Sequence, residues 1–543
     1  MDKQMLTCLP NLSAAPAITK VEEHKLIAVY ATYDNEQTVS ACWSKDNSQS
    51  WNEPEILIQL PNTSGRWLGQ QILFDNKGWL HVFLLNDAKT GVVDDHRGEG
   101  EIHAALPQQQ RLDIWHTKSL DTKNWTPIKK IWQGYCGSFN SIIQMKSGRI
   151  VLPFSYMNQR TWSNRGTGLD AFWFKGVFVC TTLYSDDNGD TWAESAYPLT
   201  VHTPCIEAYG GCEPVILELL NGQIWMLIRT QLGRFYESFS NDGDFWSAPQ
   251  PTRFLSSDSP AGLLRLHDKR IVLVWNKCLR YPYALGGRHV LHAAISDDDG
   301  KTWKGHREIL RDPFNNEPPP PSGDYGTAYP FPVENTDGNV LILTGQSKKR
   351  VQLLSFSPDW LMQTHQETNF DDGMDDWSVF TCKGIELFNS ASGQHRKVLS
   401  IVKMDSNWPA TAIWNFPMGN DGKLVMNFSF KNGVAPLKIM LTDHFSVPFD
   451  PEDAINALYV VDIDSQGFLA GKEPLKSGRL YELTMNWNCT ERTCKLSLDK
   501  RLIAVLPLLR DSSEVCYLRL KSEKVTEKAF CVEHIKVSVQ NLH

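Results

Sequence analysis

A short pattern, Ser-x-Asp-x-Gly-x-Thr-Trp, recurs along the first two thirds of this 543-residue chain and constrains its fold more than any other feature. The pattern, here called the box, is complete at residues 185–192 and 296–303, and weaker copies begin at Ser44, Ser119 and Ser240. Successive boxes start 75, 66, 55 and 56 residues apart, which is the length of four short strands with their loops. A repeat of this period predicts a series of similar β-sheets, each unable to bury its faces alone.

The residue types of the box predict a tight turn rather than a site of chemistry. The Asp accepts hydrogen bonds from the turn backbone, and the Gly supplies a positive φ. The Trp is expected to fold back as a plug between neighbouring sheets. The acidic run 297–299 resembles a calcium loop only superficially, because it lacks the later Glu and the regular ligand spacing. We therefore predict that the boxes are scaffold and that the chain has no metal site.

Alternating apolar strands precede and follow each box, which predicts an all-β fold. Five boxes and the final strands of the repeat, between 325 and 356, make six sheets, so residues 1–365 are predicted to form a six-bladed β-propeller. The box pattern then stops, and residues 366–543 carry alternating runs of a different spacing. These predict a β-sandwich of the jelly-roll or lectin-like type, with docking against the propeller as its favoured role and sugar binding as the lesser one.

The bulk composition excludes some classes of function. A net charge of -8 gives no basic surface for nucleic acid. No window approaches the ~18 apolar residues of a membrane span, and the first residues lack the pattern of a signal peptide. We therefore expect a cytoplasmic protein, or a secreted one if an export signal was trimmed. Twelve Cys without CxxC pairs argue against zinc, and no cofactor is predicted. The oligomeric state stays open.

Residues 212–230 read as a β-hairpin with a charged residue at each open end. A three-residue loop at 220–222 places Glu213 opposite Arg229. Both faces of the hairpin are apolar, so it is predicted to be buried on both sides. Because isolated burial of either charge is too costly, the two side chains must emerge into a polar pocket or pair with each other. The sequence alone leaves both outcomes open.

The boxes and this hairpin make residues 1–365 similar to the sialidase superfamily, the six-bladed propellers with Asp-box repeats. In that family a Glu followed by Pro or Ser begins a hairpin whose second strand ends in an active-site Arg, as Glu213 and Arg229 do. A further Arg precedes a late box, as Arg288 does. The catalytic Tyr stands eight residues ahead of an Asp-Gly turn, as Tyr329 does before residues 337–338.

The resemblance implies a set of roles for these residues. Sialic acid carries a carboxylate on its anomeric carbon, which repels a carboxylate nucleophile, and a Tyr attacks instead. Tyr329 would be the nucleophile, Glu213 its base and Asp34 the acid/base residue, while Arg229 and Arg288 would bind the substrate carboxylate. The implied function is an exo-glycosidase that removes a terminal, acidic sugar from a glycan with retention through a tyrosyl intermediate.

One departure from the family puts the substrate in question. Sialidases open with Arg-Ile-Pro, the first of three arginines, and the corresponding position here is Ala14. Arg66 or Arg97 from the second blade would have to substitute, or the pocket has changed to another acidic or even a neutral sugar.

Other interpretations of the same residues stay open. One is a propeller lyase or glycosidase for uronic acid- or rhamnose-containing glycans, with His96 or Tyr325 transferring the proton. Another is a propeller that binds carbohydrate without cleaving it. As purely structural residues, Tyr329 would pack between blades, Arg288 would form a salt bridge at the rim and Asp34 would stabilise a turn.

Overall fold

A computed structural model provides the fold of the chain over most of its length. The residues it describes are 3–6, 12, 14–31, 37–61, 66–87, 112–159, 176–203, 209–278, 287–314, 325–347, 349–379, 384–389, 397–407, 410–448 and 453–540.

The first two thirds of these residues form six four-stranded antiparallel sheets, the blades. Blade 6 takes its outermost strand from the start of the chain, β1 (Lys3–Met5). Blade 1 consists of β2 (Ala17–Glu22), β3 (Lys25–Ala31), β4 (Thr38–Ser44) and β5 (Glu55–Gln59). Blade 2 consists of β6 (Arg66–Phe74), β7 (Leu80–Asp87), β8 (Leu112–Ser119) and β9 (Lys129–Trp132). Blade 3 consists of β10 (Ile143–Gln144), β11 (Ile150–Gln159), β12 (Gly176–Ser185) and β13 (Ala193–Glu194). Blade 4 consists of β14 (Gly211–Glu218), β15 (Ile224–Thr230), β16 (Arg234–Ser240) and β17 (Gln250–Leu255). Blade 5 consists of β18 (Gly262–Arg265), β19 (Ile271–Trp275), β20 (Val290–Ser296) and β21 (Lys304–Arg311). Blade 6 consists of β22 (Phe331–Glu334), β23 (Val340–Thr344), β24 (Gln352–Phe356) and β1.

The first strand of each blade lies nearest the axis of a closed ring. The pairs β10 and β14, β14 and β18, β18 and β22, and β22 and β2 contact one another, as do β2 and β6. The ring is also closed by hydrogen bonding, because β1 pairs antiparallel with β24. Closure packs the last blade against the first, so that no blade face is left open at an end of the array. The predicted six-bladed propeller is therefore confirmed.

The boxes form the predicted turns. In the third blade, the N–H of Gly189 donates to Ser185 Oγ at 2.7 Å, and the N–H of Thr191 donates to Asp187 Oδ1 at 2.9 Å. Burial opposes the charge of this carboxylate, but the hydrogen bonds from Thr191 and Ser185 together outweigh it and lower the pKa of Asp187 to about 2. The indole N–H of Trp192 closes the turn on the Gly189 carbonyl at 3.2 Å. Each Asp is thus consumed by its own turn.

The Trp residues of the boxes fill the spaces between blades, as predicted. Trp192 packs edge-on against Phe83 of blade 2, with ring centroids 5.5 Å apart. Trp303 of blade 5 packs in the same way against Phe254 of blade 4, also at 5.5 Å. In the acidic run of this last box, Asp299 accepts hydrogen bonds from the Leu220 N–H and the Arg265 guanidinium. No group of side chains suited to a metal ion occurs among the described residues.

A single helical turn, α1 (Pro358–Leu361), follows the propeller, and the remaining strands form a second unit. A short 3₁₀ helix (Asp453–Asn456) lies between two of them. The strands are β25 (His365–Thr368), β26 (Trp377–Ser378), β27 (Ile385–Asn389), β28 (Lys397–Ile401), β29 (Ala410–Gly419), β30 (Asp421–Lys431), β31 (Leu437–Thr442), β32 (Tyr459–Ile463), β33 (Phe468–Leu469), β34 (Glu473–Pro474), β35 (Tyr481–Asn488), β36 (Thr493–Leu498), β37 (Arg501–Pro507), β38 (Val515–Ser522) and β39 (Ala529–Gln540).

These strands form two sheets that share one core. One sheet has the order β27-β28-β39-β30-β35-β36-β37, with β25 also paired to β39, and the other has the order β26-β29-β38-β31-β32-β33-β34. Aromatic side chains cross between the sheets, since Phe416 on β29 contacts Trp487 on β35 with centroids 5.8 Å apart. The predicted C-terminal β-sandwich is therefore confirmed. Neither described helix is long or apolar enough to cross a membrane.

The sandwich docks against blade 5 of the propeller. Cys278 and Val290 of that blade share a buried apolar cluster with Phe445 and Tyr517 of the sandwich. Buried polar groups complete the contact. The Tyr517 hydroxyl lies 2.6 Å from His292 Nε2 and donates to Glu308 at 2.8 Å. Because the Tyr517 hydroxyl joins two buried polar groups of the propeller, these hydrogen bonds help to hold the two units in one arrangement.

Several ionisable groups are buried in and around this interface. Burial lowers the pKa of His292 and His306 well below the ordinary value of an imidazole, and the cation of Lys277 lowers both further. Burial also lowers the pKa of Lys277 itself and of His444, although Asp443 opposes the shift of His444. Burial raises the pKa of the Glu308 carboxyl, against the opposing effect of Arg311.

We predict that the full-length protein loses stability in mild acid. The unfolded chain takes up protons on His292 and His306 below about pH 6.5, whereas the folded chain keeps both neutral, so the free energy of unfolding falls as the pH drops. Glu308 acts in the opposite direction. Between pH 7.5 and 5.5 we expect a net loss of about 2 kcal/mol in urea unfolding.

The control for this prediction is an exposed imidazole. His267→Gln removes an exposed histidine and should leave the difference between the two pH values unchanged, while His306→Gln should reduce it. Equal unfolding free energies of the wild type at both pH values would contradict the prediction.

Candidate functional site

The hairpin of β14 and β15 has the predicted register near its turn and a different one at its open end. Val215 pairs with Leu227 as expected, but the register shifts between Cys212 and Val215, and Cys212 rather than Glu213 lies opposite Arg229. The prediction of a direct Glu213–Arg229 pair in the ladder is therefore wrong by one residue. Pro214 has no N–H to donate, which favours a β-bulge at this point. Glu213 occupies the bulge with φ 45°.

The bulge redirects the Glu213 side chain toward the axis of the propeller. Its backbone N–H donates to Ser155 Oγ of blade 3 at 3.0 Å. Gly137 leaves room for this arrangement, since a Cβ there would lie 2.8 Å from Ser155 Oγ and 3.4 Å from Glu213 Cγ. Glu213 is thus fixed by blade 3 as well as by its own strand.

Tyr329 reaches the same region from the segment that enters β22. Its φ is 59°, although the following residue is Pro330. A residue with a side chain rarely adopts this conformation, least of all before a proline. The hydroxyl of Thr344 donates to the carbonyls of Thr327 and Ala328 at 2.8 and 3.0 Å and holds the segment in place. Tyr329 and Glu213 are therefore two strained residues that the surrounding structure keeps in position.

Arg229 joins these residues in one buried network, here called the arginine cluster: Arg229, Glu213, Tyr329, Asp258 and Tyr209. Nη1 of the guanidinium donates to Glu213 Oε2 and to the Tyr329 hydroxyl, the latter at 3.1 Å. Nε donates to Asp258 Oδ1 at 2.6 Å, and Nη2 donates to the Tyr209 hydroxyl at 2.9 Å. The side chains of Arg229, Glu213 and Asp258 are 9%, 10% and 3% exposed. The two charged ends of the hairpin therefore pair with each other inside the site.

Each tyrosine hydroxyl of the cluster also donates to a carboxylate. The Tyr329 hydroxyl donates to Glu213 Oε1 at 3.1 Å, and the Tyr209 hydroxyl donates to Asp258 Oδ1. One guanidinium thus lies between two tyrosine–carboxylate pairs. Each hydroxyl therefore accepts a hydrogen bond from Arg229 and donates one to a carboxylate. The hydroxyl proton is thus already directed at a group that could accept it as a base.

The charges of the cluster stabilise one another. Burial disfavours the charge on Arg229, but the Asp258 and Glu213 carboxylates overcome this and raise its pKa well above the ordinary value. Burial likewise opposes the charge of Asp258, yet Arg229 holds the pKa of that carboxyl below its usual range. Burial raises the pKa of Tyr209 well above that of an ordinary phenol. Arg229 and Asp258 therefore stay ionised, and Tyr209 stays protonated.

Arg288 borders the cluster from blade 5. It is 2% exposed, and its Nη2 donates to the backbone carbonyl of Asp258 at 3.1 Å. Its guanidinium carbon lies 5.5 Å from the centroid of the Tyr329 ring. The chain that leads to Tyr329 passes directly over Arg288 at Gly326, which has φ 85°. A Cβ at Gly326 would overlap the Arg288 carbonyl oxygen.

Asp258, Tyr209 and Ser155 were not predicted as site residues from the sequence. Asp258 precedes the innermost strand β18, just as Tyr329 precedes β22. Its sequence context could have indicated a site residue: Asp258 is the one acidic residue in a Ser-Ser-Asp-Ser run that ends at Pro260, at the entry to a blade. Tyr209 and Ser155 carry no comparable signal in the sequence.

Ala14 and Tyr325 make their recorded contacts outside this network, and the other predicted site residues are described only in part or not at all. Ala14 forms an isolated bridge with Gln346. The Arg66 backbone pairs with Asp87 within blade 2, and its side chain is not among the described parts. Tyr325 packs against His289, with ring centroids 5.7 Å apart. Three further predicted residues lie outside the described ranges: Asp34, His96 and Arg97.

We predict that Gly326→Ala destabilises the protein by about 2 kcal/mol more than Gly338→Ala in urea unfolding. Both glycines have positive φ, 85° and 77°, so both substitutions carry the same cost of a left-handed alanine. Only at Gly326 does the new Cβ overlap backbone, whereas the space around Gly338 is open. Equal losses for the two variants would show that the chain above Arg288 is not tightly packed.

The chain is similar to one protein family and to several solved structures. Residues 102–342 match the family described as a BNR repeat-like domain. No curated protein matches the chain. Among solved structures, a protein of unknown function from Dyadobacter fermentans DSM 18053 is 17% identical, with 65% of this chain and 96% of that chain covered and a TM-score of 0.47. Trypanosoma rangeli sialidase in complex with the inhibitor DANA is 13% identical, with 97% and 92% covered and a TM-score of 0.43.

Identities this low carry no information about activity or substrate. Both are therefore inferred from the residues of the site. The family match and the chain's own architecture bear on the fold: a BNR repeat-like domain, six four-stranded blades and five box turns. These features make the propeller similar to BNR repeat-like domains over residues 102–342.

Proposed function

We propose that the protein is a retaining exo-glycosidase in which Tyr329 is the nucleophile and Glu213 is its base. The observation that carries this proposal is the hydrogen bond of 3.1 Å from the Tyr329 hydroxyl to Glu213 Oε1, made between two residues that both have positive φ. A tyrosine that only packs between blades needs neither a buried carboxylate partner nor a strained backbone. Strain of about 1–3 kcal/mol per residue typically persists where function requires the geometry.

The first step forms a glycosyl-enzyme intermediate. Glu213 accepts the phenolic proton of Tyr329, and the phenolate oxygen bonds to the anomeric carbon of the terminal sugar. The bond from that carbon to the leaving-group oxygen breaks, and this oxygen takes a proton from an acid, for which Asp34 remains the predicted residue. In the second step, a water that this residue deprotonates attacks the anomeric carbon, and Tyr329 leaves and recovers its proton from Glu213.

Arg229 suits this chemistry as a fixed positive charge beside the reacting oxygen. Its Nη1 lies 3.1 Å from the Tyr329 hydroxyl, so it stabilises the phenolate that forms when Glu213 takes the proton. Arg288 stands against the same ring and is the other guanidinium that the resemblance assigns to the substrate. The acidic nature of the sugar is a prediction from the resemblance alone.

The two alternatives predict different products. A lyase acting on uronic acid would leave chain ends that absorb in the ultraviolet, and a carbohydrate-binding propeller would bind sugar without cleaving it. Neither role calls for a tyrosine and a carboxylate held in strained conformations around one arginine, so the glycosidase is favoured.

We predict that Tyr329→Phe lowers kcat at least about 1000-fold, because the variant lacks the attacking oxygen. The measurement is release of 4-methylumbelliferone from its sialic acid, KDN and glucuronic acid glycosides and from neutral glycosides. Proton NMR of the first sugar released should show the anomer of the substrate, as retention requires.

The matched control is Tyr184→Phe. The Tyr184 hydroxyl also contacts a carboxylate, Asp244, at 3.4 Å, but it lies beside a box turn and outside the arginine cluster. This variant should keep wild-type activity. A Tyr329→Phe protein as active as the wild type, or no cleavage of any glycoside, would exclude the proposed role.

A further inference from the structure

Asp258 changes what Arg229 has available for a substrate. A guanidinium has five N–H donors. In the arginine cluster, the Nε hydrogen is directed at Asp258, the two Nη1 hydrogens at Glu213 and Tyr329, and one Nη2 hydrogen at Tyr209. Binding a carboxylate through two parallel hydrogen bonds requires two neighbouring free donors. Four of the five donors of Arg229 are already directed at protein atoms, so it lacks that pair.

Within the part of the site that the structure describes, the charges of Arg229 and Arg288 are also balanced without a ligand. The cations of Arg229 and Arg288 face the carboxylates of Glu213 and Asp258, and Asp258 contacts both arginines, one through its side chain and the other through its carbonyl. An excess of positive charge would help to offset the cost of desolvating a bound anion. These four residues provide no such excess.

We propose that Asp258 commits Arg229 to positioning the Tyr329–Glu213 pair, so that the site does not select a carboxylate on the reacting carbon and its substrate is a glycoside uncharged at that carbon. This inference rests on the proposed function, since it concerns the same pocket. It departs from the acidic sugar that the family resemblance implies.

Asp258 is held too firmly to move aside for a substrate. It is 2% exposed, and its second carboxylate oxygen accepts a hydrogen bond from Gln231 at 3.3 Å. On either side of it, the Ser257 N–H donates to the Asn276 carbonyl at 3.0 Å and the Ser259 hydroxyl donates to Asn276 Oδ1 at 2.7 Å. Asp258 is therefore part of the rigid wall of the site.

The position of Ala14 agrees with this inference. The resemblance places the first arginine of a carboxylate-binding triad there, and alanine brings no charge. The segment is held by backbone contacts instead, since Ala14 bridges Gln346 and the Ala15 N–H donates to the Gly345 carbonyl at 3.0 Å. A phenolate nucleophile tolerates a carboxylate on the sugar but does not require one, so the Tyr329 mechanism works equally on an uncharged carbon.

The test compares binding of N-acetylneuraminic acid with binding of its methyl ester, which has nearly the same shape but no charge, by titration calorimetry on the full chain. We expect the wild type to bind the acid no more than about 3-fold tighter than the ester. In Asp258→Asn the Nε donor of Arg229 loses its anionic partner, and we expect the acid to be favoured at least about 10-fold. Asp258→Glu keeps the charge and should keep the wild-type ratio.

The ratio of the two affinities separates a specificity role from a merely structural one, because general loosening of the site weakens both ligands alike. A wild type that favours the acid 10-fold or more overturns the inference, and this measurement stands even if Asp258→Asn does not fold. A folded Asp258→Asn protein that fails to gain preference for the acid, including one that binds neither compound, overturns it as well. Failure of the proposed function would be seen in a different measurement, because turnover would then be the same in Tyr329→Phe as in the wild type.

Discussion

The site depends on one buried cation, the guanidinium of Arg229. An isolated charge at this depth would be too costly, and it is stabilised by Glu213 and Asp258, which come from different segments of the chain. The same guanidinium orients the hydroxyls of Tyr329 and Tyr209 toward these carboxylates. Since the partners are supplied by the loops and strands of blades 4 to 6, correct pairing of one arginine requires three blades to be in register.

The sequence predicts much of this site because its hairpin and its turns are local features. Glu213 and Arg229 were expected to meet because they lie on one hairpin, and Tyr329 was expected beside them through the family resemblance; the three side chains do meet. The one-residue shift at Glu213 was missed because the bulge is set by Pro214 and by Ser155 on another blade. Asp258 was missed for the same reason: its role exists only after ring closure brings the entries of neighbouring blades together, and periodicity carries no information about such meetings.

The sandwich packs behind the site through blade 5. It packs on blade 5 around Lys277 and Cys278, which directly follow Asn276, and Asn276 in turn binds the residues on both sides of Asp258. Directly before the next strand, β20, His289 lies between Arg288 and Val290 and packs against Phe445 of the sandwich, with ring centroids 6.2 Å apart. The second domain therefore acts as a support for the wall that holds both arginines, which gives it a structural role even without a ligand of its own.

The pairing of β1 with β24 affects the order in which the protein folds during its synthesis. The blade that carries Tyr329 is completed by β1, residues 3–5. This strand leaves the ribosome more than 300 residues before its partner, β24. Contacts of such long separation form late and slowly. The residue proposed to attack the substrate thus belongs to the last blade that can be finished, and an unfinished chain has no means of assembling the reactive centre early.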